Sequence, residues 1–114
     1  MSNVLEITDE TFDSEVSNHK GPVLVYFHAD WCGPCRQVTP YINNLSSLEE
    51  NSDIKFVKMD IGQNVNVAAN LNIQAIPSMM IKTSDEKLFT LRGAFRESEI
   101  QTWIDEVVHD KKDD

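Results

Sequence analysis

The sequence predicts an α/β fold in which a mixed central β-sheet of five strands carries four helices on its two faces. Residues 23–29, VLVYFHA, are almost all apolar, β-branched or aromatic, which is typical of a strand buried on both faces of a helix-covered sheet. Predicted strands and helices alternate through most of the chain, and two strands follow one another near its end. The last helix shows apolar residues at an amphipathic spacing: Ile100, Trp103, Ile104, Val107 and Val108.

Size and charge limit the possible functions. We expect the 114 residues to form a single domain, 1–114, with a flexible charged tail at 109–114. The net charge of −9 disfavours binding to nucleic acid, and no apolar run reaches the ~18 residues of a membrane span. The start of the chain lacks the basic and apolar regions of a secretory signal, so we expect a cytoplasmic monomer whose thiols are kept reduced.

The first elements follow from local signals. A strand is predicted at 4–7, and Thr8 then suits the N-cap of a short helix with two acids in its first turn. Phe12 and Val16 give that helix one apolar face. A glycine-proline pair at 21–22 separates it from the strand at 23–29.

The second half of the pattern begins with a helix that opens at the segment CGPC, 32–35. Pro40 lies inside this helix and should kink it. Its apolar residues recur at helical spacing: Val38, Ile42, Leu45 and Leu48.

A strand at 54–61 and a weak helix at 65–71 come next, and Asn72 suits a left-handed cap. Strands at 78–83 and 87–93 form a predicted hairpin that turns at Ser-Asp-Glu and leads into the last helix.

Cys32 and Cys35 are the only cysteines, and three interpretations exist for them. A zinc site needs four ligands, or three and a water, and the three histidines form no pair at zinc-ligand spacing. A structural disulfide would close too small a loop to stabilise the chain much. The third interpretation is a reactive dithiol, in which Cys32 lies at a helix start that stabilises a thiolate.

The segment Trp31-Cys32-Gly33-Pro34-Cys35 resembles the active-site motif of the thioredoxin family. The resemblance covers about residues 4–108. Pro40 lies where the family has its helix-kinking proline, AIPS at 75–78 resembles the family's cis-proline loop, and RGA at 92–94 resembles the glycine segment beside its substrate groove. The resemblance implies the thioredoxin fold.

The resemblance also implies an activity, general reduction of protein disulfides in cell redox homeostasis and electron transport. No bound cofactor is expected, because the electrons are carried by the redox-active Cys32–Cys35 pair itself. A thioredoxin reductase would donate electrons, and disulfide-containing proteins would be the targets. Cys32 would attack a target as the nucleophile and Cys35 would resolve the mixed disulfide, while Gly33 allows the tight turn and Pro34 suits the first helical turn.

The resemblance further implies a groove for the target. Pro77 would be cis and pack against the dithiol, and the backbone of Ile76 would pair with the target chain. Trp31, Gly93 and Ala94 would complete an apolar rim. Simpler interpretations are a trans proline at the start of a strand and a tryptophan of the core.

Three residues depart from the family pattern. Tyr26 stands where thioredoxins carry a buried aspartate that takes the proton of the second cysteine, and a phenol is a poor base at neutral pH. Lys58 matches the lysine that neighbours this aspartate. His28 replaces a bulky aromatic; it either fills space or, if protonated, supports the Cys32 thiolate. Tyr26 itself has a simpler interpretation as a buried strand residue with a local hydrogen bond.

Two rival functions remain open at this stage. One is a less reducing oxidase or isomerase of the same fold, which would need an oxidising compartment. The other is a binding module that clamps a partner in the groove without turnover, which the loss of the acid at residue 26 keeps open.

Overall fold

The computed structural model describes residues 3–110, and its five-stranded sheet confirms the predicted architecture. The strand order is β1-β3-β2-β4-β5, with β3 parallel to both β1 and β2, and with the β2–β4 and β4–β5 pairs antiparallel. The strands are β1 (Val4–Glu6), β2 (Val23–His28), β3 (Lys55–Asp60), β4 (Ser78–Lys82) and β5 (Leu88–Arg92). The mixed sheet therefore combines a parallel half with a terminal hairpin.

Within residues 3–110, four helices of five or more residues cover the two faces of the sheet, as predicted. Three are α1 (Gly33–Ser46), α2 (Val65–Asn70) and α3 (Glu97–Val107). The fourth is a short, wide helix, Asp13–Ser17, which ends with a bond of 2.8 Å from the Asn18 N–H to the carbonyl five residues earlier. Within the described residues, no helix is long and apolar enough to cross a membrane.

The core lies in two layers, one on each face of the sheet. Alternate side chains of β2 point to opposite faces, so Leu24 packs with α1 and α3 while Phe27 packs with the short helix. Every residue from Val23 to Phe27 is buried, which confirms the prediction of a strand covered on both faces. Burial of each such side chain contributes about 1.5–3 kcal/mol to folding.

The predicted start of the first helix, with Thr8 as its N-cap, is wrong. Thr8 forms a tight turn in which its carbonyl accepts the N–H of Thr11 at 3.1 Å. The acid next to it caps a different helix, because the Asp9 carboxylate accepts the N–H groups of Asn66 and Val67, at the start of α2, at 3.2 and 3.0 Å. Asp9, which the local pattern assigned to the first turn of the first helix, therefore makes a tertiary contact with α2 instead.

The end of one other predicted helix also differs. α1 stops at Ser46, so Leu48 lies outside the helix and is exposed rather than part of its apolar face. At the other end of the chain, His109 contacts Asp105 and Asp53 through its two ring nitrogens, at 2.9 and 3.2 Å. Residues 111–114 of the predicted tail lie outside the described residues.

Candidate active site

The two cysteines form a disulfide at the start of α1. Cys32 is the N-cap of the helix, and its Sγ accepts the backbone N–H of Cys35 at 3.2 Å. Gly33 and Pro34 form the exposed first turn, where proline costs little because the first N–H groups of a helix have no partner within it. One helical turn thus brings the two sulfurs together and directs the backbone N–H of Cys35 toward the Cys32 sulfur.

The disulfide lies in a small apolar cluster that also contains Ala29, Ile61 and Ile76. Cys35 is only slightly more buried than Cys32, with 3% of its surface exposed against 5% for Cys32. Ile61 was not among the predicted site residues. It follows β3 as Ala29 follows β2, and parallel neighbours end at the same edge of a sheet, so strand order was needed to find it.

The loop beside the disulfide has the predicted form. The Ile76–Pro77 peptide bond is cis, and Pro77 is buried next to β4. The carbonyl of Pro77 accepts the N–H of Gly93 at 3.0 Å, which joins this loop to the end of β5. Gly93 has φ of +122°, a conformation that favours glycine, and Ala94 beside it is exposed.

Trp31 lies on the surface beside the disulfide, with 71% of its area exposed, so the interpretation as a core residue is wrong. Its indole rests against the loop after β3, because a Cβ built on Gly62 would stand 3.2 Å from the Trp31 Nε1 and 3.1 Å from the Asp60 Oδ1. The Gly62 N–H donates to that same carboxylate oxygen at 2.8 Å. Asp60 and Gly62 were not predicted, since only tertiary structure brings them to Trp31.

Tyr26 reaches the backbone beneath Cys35. Its hydroxyl lies 3.1 Å from the Cys35 carbonyl and 3.0 Å from the Thr39 Oγ1, and the Thr39 hydroxyl donates to the same carbonyl at 2.8 Å. Burial raises the pKa of Tyr26 above its usual value of 10, and the hydrogen bond with Thr39 opposes this only in part. Tyr26 is therefore an uncharged phenol at neutral pH. The spacing of four residues between Cys35 and Thr39 is a signal for this contact, because a helical threonine there reaches back to the carbonyl.

His28 stacks on the ring of Tyr26, with the ring centroids 5.3 Å apart. Burial lowers the pKa of His28 below 6.5, although the nearby Asp60 carboxylate acts in the opposite direction. This lowered pKa favours the neutral imidazole and so the space-filling interpretation of His28. Lys58 of β3 is paired with Glu6 of β1 on one side and with Tyr26 of β2 on the other. Its acidic cross-strand neighbour is therefore Glu6.

Metal binding finds no support in the arrangement of side chains. Within residues 3–110, no group of three or more histidine, cysteine, aspartate and glutamate side chains is placed to hold a metal ion.

Comparison with known proteins matches this geometry to one family. The family model Thioredoxin matches residues 3–106. A thioredoxin of Porphyra purpurea is 39% identical over 106 residues, covering 93% of this chain and 98% of that protein, and thioredoxin 1 of Nostoc sp. is 40% identical over 94 residues, covering 82% and 87%. The crystal structure of Malassezia sympodialis thioredoxin (Mala s 13) superposes with a TM-score of 0.82 at 26% identity, covering 93% of this chain and 91% of that one. The chain therefore belongs to the thioredoxin family and is a disulfide oxidoreductase that works by dithiol–disulfide exchange through Cys32 and Cys35.

Proposed function

We propose that Cys32 is the nucleophile and Cys35 the resolving thiol of a general protein-disulfide reductase. The Cys32 thiolate attacks one sulfur of the target disulfide, forms a mixed disulfide and releases the other target sulfur as a thiolate. Cys35 then loses its proton and attacks the Cys32 sulfur, which releases the second target thiolate. Two electrons and two protons pass to the target, and the Cys32–Cys35 disulfide remains.

The hydrogen bond from the Cys35 N–H to the Cys32 Sγ carries this assignment. An N–H at a helix start has no partner within the helix and stabilises negative charge on the atom it faces. That sulfur is the one that must be a thiolate to attack. Cys35 is held one turn away, so the second attack is intramolecular and needs no diffusion.

The target would bind on the rim formed by Trp31, Ile76, Pro77, Gly93 and Ala94. Support comes from the exposed indole, from the apolar contact of Ile76 with the disulfide and from the Gly93–Pro77 hydrogen bond, which holds the two loops side by side. An extended target segment can pair there with loop backbone, the usual way a sheet edge binds a peptide.

The oxidised pair needs an electron donor for each new cycle, and a thioredoxin reductase fits that role in the family. No other redox group enters the proposed cycle. We propose that the protein acts as a monomer in the cytoplasm, because a disulfide reductase serves a compartment in which thiols are kept reduced. Fractionation and size-exclusion chromatography of the tagged protein test these two points.

NADPH-coupled reduction of insulin by a standard thioredoxin reductase tests the function. We expect turnover by the wild-type protein, none by Cys32→Ser, and a trapped mixed disulfide with Cys35→Ser. The matched control is Ser47→Ala, which changes a small polar residue at the far end of α1. Turnover that survives in Cys32→Ser would overturn the assignment, and a partner whose binding survives the loss of both cysteines would indicate a clamp.

A further inference from the structure

An apolar groove runs between β5 and α3, on the face of the sheet that carries α1. Phe89 and Leu91 of β5, Phe95 in the connecting segment and Trp103 of α3 line it. Leu91, Phe95 and Trp103 rest on the core, whereas Phe89 has 40% of its surface exposed. A contiguous apolar surface of this kind, with a polar rim, is typical of a binding site.

The rim of this groove is acidic. Its lining among the described residues includes one lysine and four acids: Lys87, Asp85, Glu99, Glu106 and Asp110. Glu99 is engaged by the N–H of Arg96 at 2.9 Å, whereas Glu106 is exposed and lies where the two halves of the groove meet. A second copy of this chain, with its own net charge of −9, is repelled by such a rim, and a cationic segment is attracted.

The groove leads to the site of disulfide exchange. β5 is the last strand of the sheet, so one of its main-chain edges pairs with no other strand among the described residues. Its end is joined to the cis-proline loop by the Gly93–Pro77 hydrogen bond, and Ile76 of that loop packs against the disulfide. A strand added along β5 would therefore continue directly from the rim that we assign to the target.

We propose that the groove between β5 and α3 is a specificity subsite for target proteins, which takes an extended segment bearing lysine or arginine and an apolar residue. The inference rests on the proposed function, because the same target supplies the disulfide. The five residues of β5 span about 17 Å. The basic residues should thus lie about six positions from the target cysteine, where they meet Glu106, with the apolar side chain over Phe89.

Synthetic peptides with one cysteine joined to a chromophoric thiol test this subsite. One peptide carries Lys-Ser-Leu-Ser-Lys about six residues from the cysteine, so that the lysine and leucine side chains share one face of the extended segment; it is made in one version on the N-terminal side and in another on the C-terminal side. A second carries Glu-Ser-Leu-Ser-Glu at the same place, and a third is truncated before it. At low salt we expect kcat/KM for one lysine version to exceed that of its glutamate counterpart by about three- to tenfold, a ratio that falls at high salt.

Two charge reversals locate the effect. Glu106→Lys should invert the preference and favour the glutamate peptide, whereas Glu10→Lys, an exposed residue that does not line the groove, changes the net charge equally and should keep it. The lysine peptide should also shift the indole N–H resonance of Trp103. Equal rates with lysine and glutamate peptides, or the same response to both reversals, would overturn the subsite. Failure of the wild-type protein to reduce even the truncated peptide would instead refute the proposed reductase activity.

Discussion

Replacing Tyr26 with aspartate should speed the step in which Cys35 breaks the mixed disulfide. Burial raises the pKa of Tyr26, so the phenol keeps its proton from pH 6 to pH 9 and accepts none from Cys35. A carboxyl group in the same buried place has its pKa raised toward neutrality, which suits a general base. A well-placed base is worth about 10²–10⁴ in rate. Because the shorter aspartate side chain would act through water, we expect the rate of this step to rise about tenfold at pH 7. The gain should be smaller at pH 9, where hydroxide also removes the proton of Cys35.

The same substitution should destabilise the protein. The ring of Tyr26 is 1% exposed within the core layer of α1 and α3, and its removal costs about 3–5 kcal/mol. Tyr26→Phe is the matched control, because it keeps the ring. It should cost only about 1 kcal/mol, or about 5 °C in Tm, since the Thr39 hydroxyl still donates to the Cys35 carbonyl.

The assay is single-turnover decay of a mixed disulfide on Cys32, followed from pH 6 to pH 9 at a temperature where circular dichroism shows a folded variant. Tyr26→Phe should match the wild-type rate within about twofold. A folded Tyr26→Asp protein with no gain at pH 7 would refute this account of position 26. A tenfold loss in Tyr26→Phe would refute it as well, because the phenol would then take part in the step.

Three further outcomes follow from contacts elsewhere. His109→Gln should destabilise by about 0.5–1 kcal/mol at pH 5.5 and by little at pH 9. Hydrogen bonds that the ring donates to the Asp105 and Asp53 carboxylates raise the pKa of His109, so its contribution is full below the unfolded-state pKa and is lost as pH rises through the raised folded-state pKa. Thermal melts at both pH values measure this, and an equal loss at both would contradict it. Asn51→Ala should lower Tm by about 10 °C, because the fully buried amide donates to the Leu45 carbonyl and to Gln101, and both acceptors would lose this hydrogen bond. The exposed Glu50→Ala is the control, and an equal effect of the two substitutions would contradict the prediction. Gly62→Ala should change the fluorescence of Trp31 and lower kcat/KM for insulin about threefold or less, since the new methyl displaces the indole; unchanged fluorescence would show that the loop yields instead.

Sequence patterns predicted the fold where local and tertiary demands agree. β2 is apolar throughout because helices cover both its faces, and α3 shows its periodicity because only one of its faces is buried. The turn before β5 lies at the predicted Ser-Asp-Glu segment, which has no glycine, and Glu86 takes the left-handed conformation there with φ of 66°. The failures have tertiary causes, as with Asp9, whose carboxylate caps a helix more than fifty residues away.

Only part of the candidate active site could be predicted from the sequence. The spacing left three interpretations of Cys32 and Cys35 open, and the resemblance led both to their pairing and to the cis bond before Pro77. The contacts of Ile61 with the disulfide and of Gly62 with Trp31 depend on which strands lie side by side. The burial that favours a neutral, space-filling His28 is a property of the packed chain and could not be derived from the identity of the residue.

The cap that Asp9 places on α2 has a consequence for the order in which the chain assembles. α2 has six residues, and the side chain of its own N-cap residue, Asn64, makes no capping bond, so the isolated segment is too short to hold a helix. Its first amides are protected only once the beginning of the chain has docked. The N-terminal segment and α2 should therefore behave as one cooperative unit in native-state hydrogen exchange, opening together while the central strands remain closed.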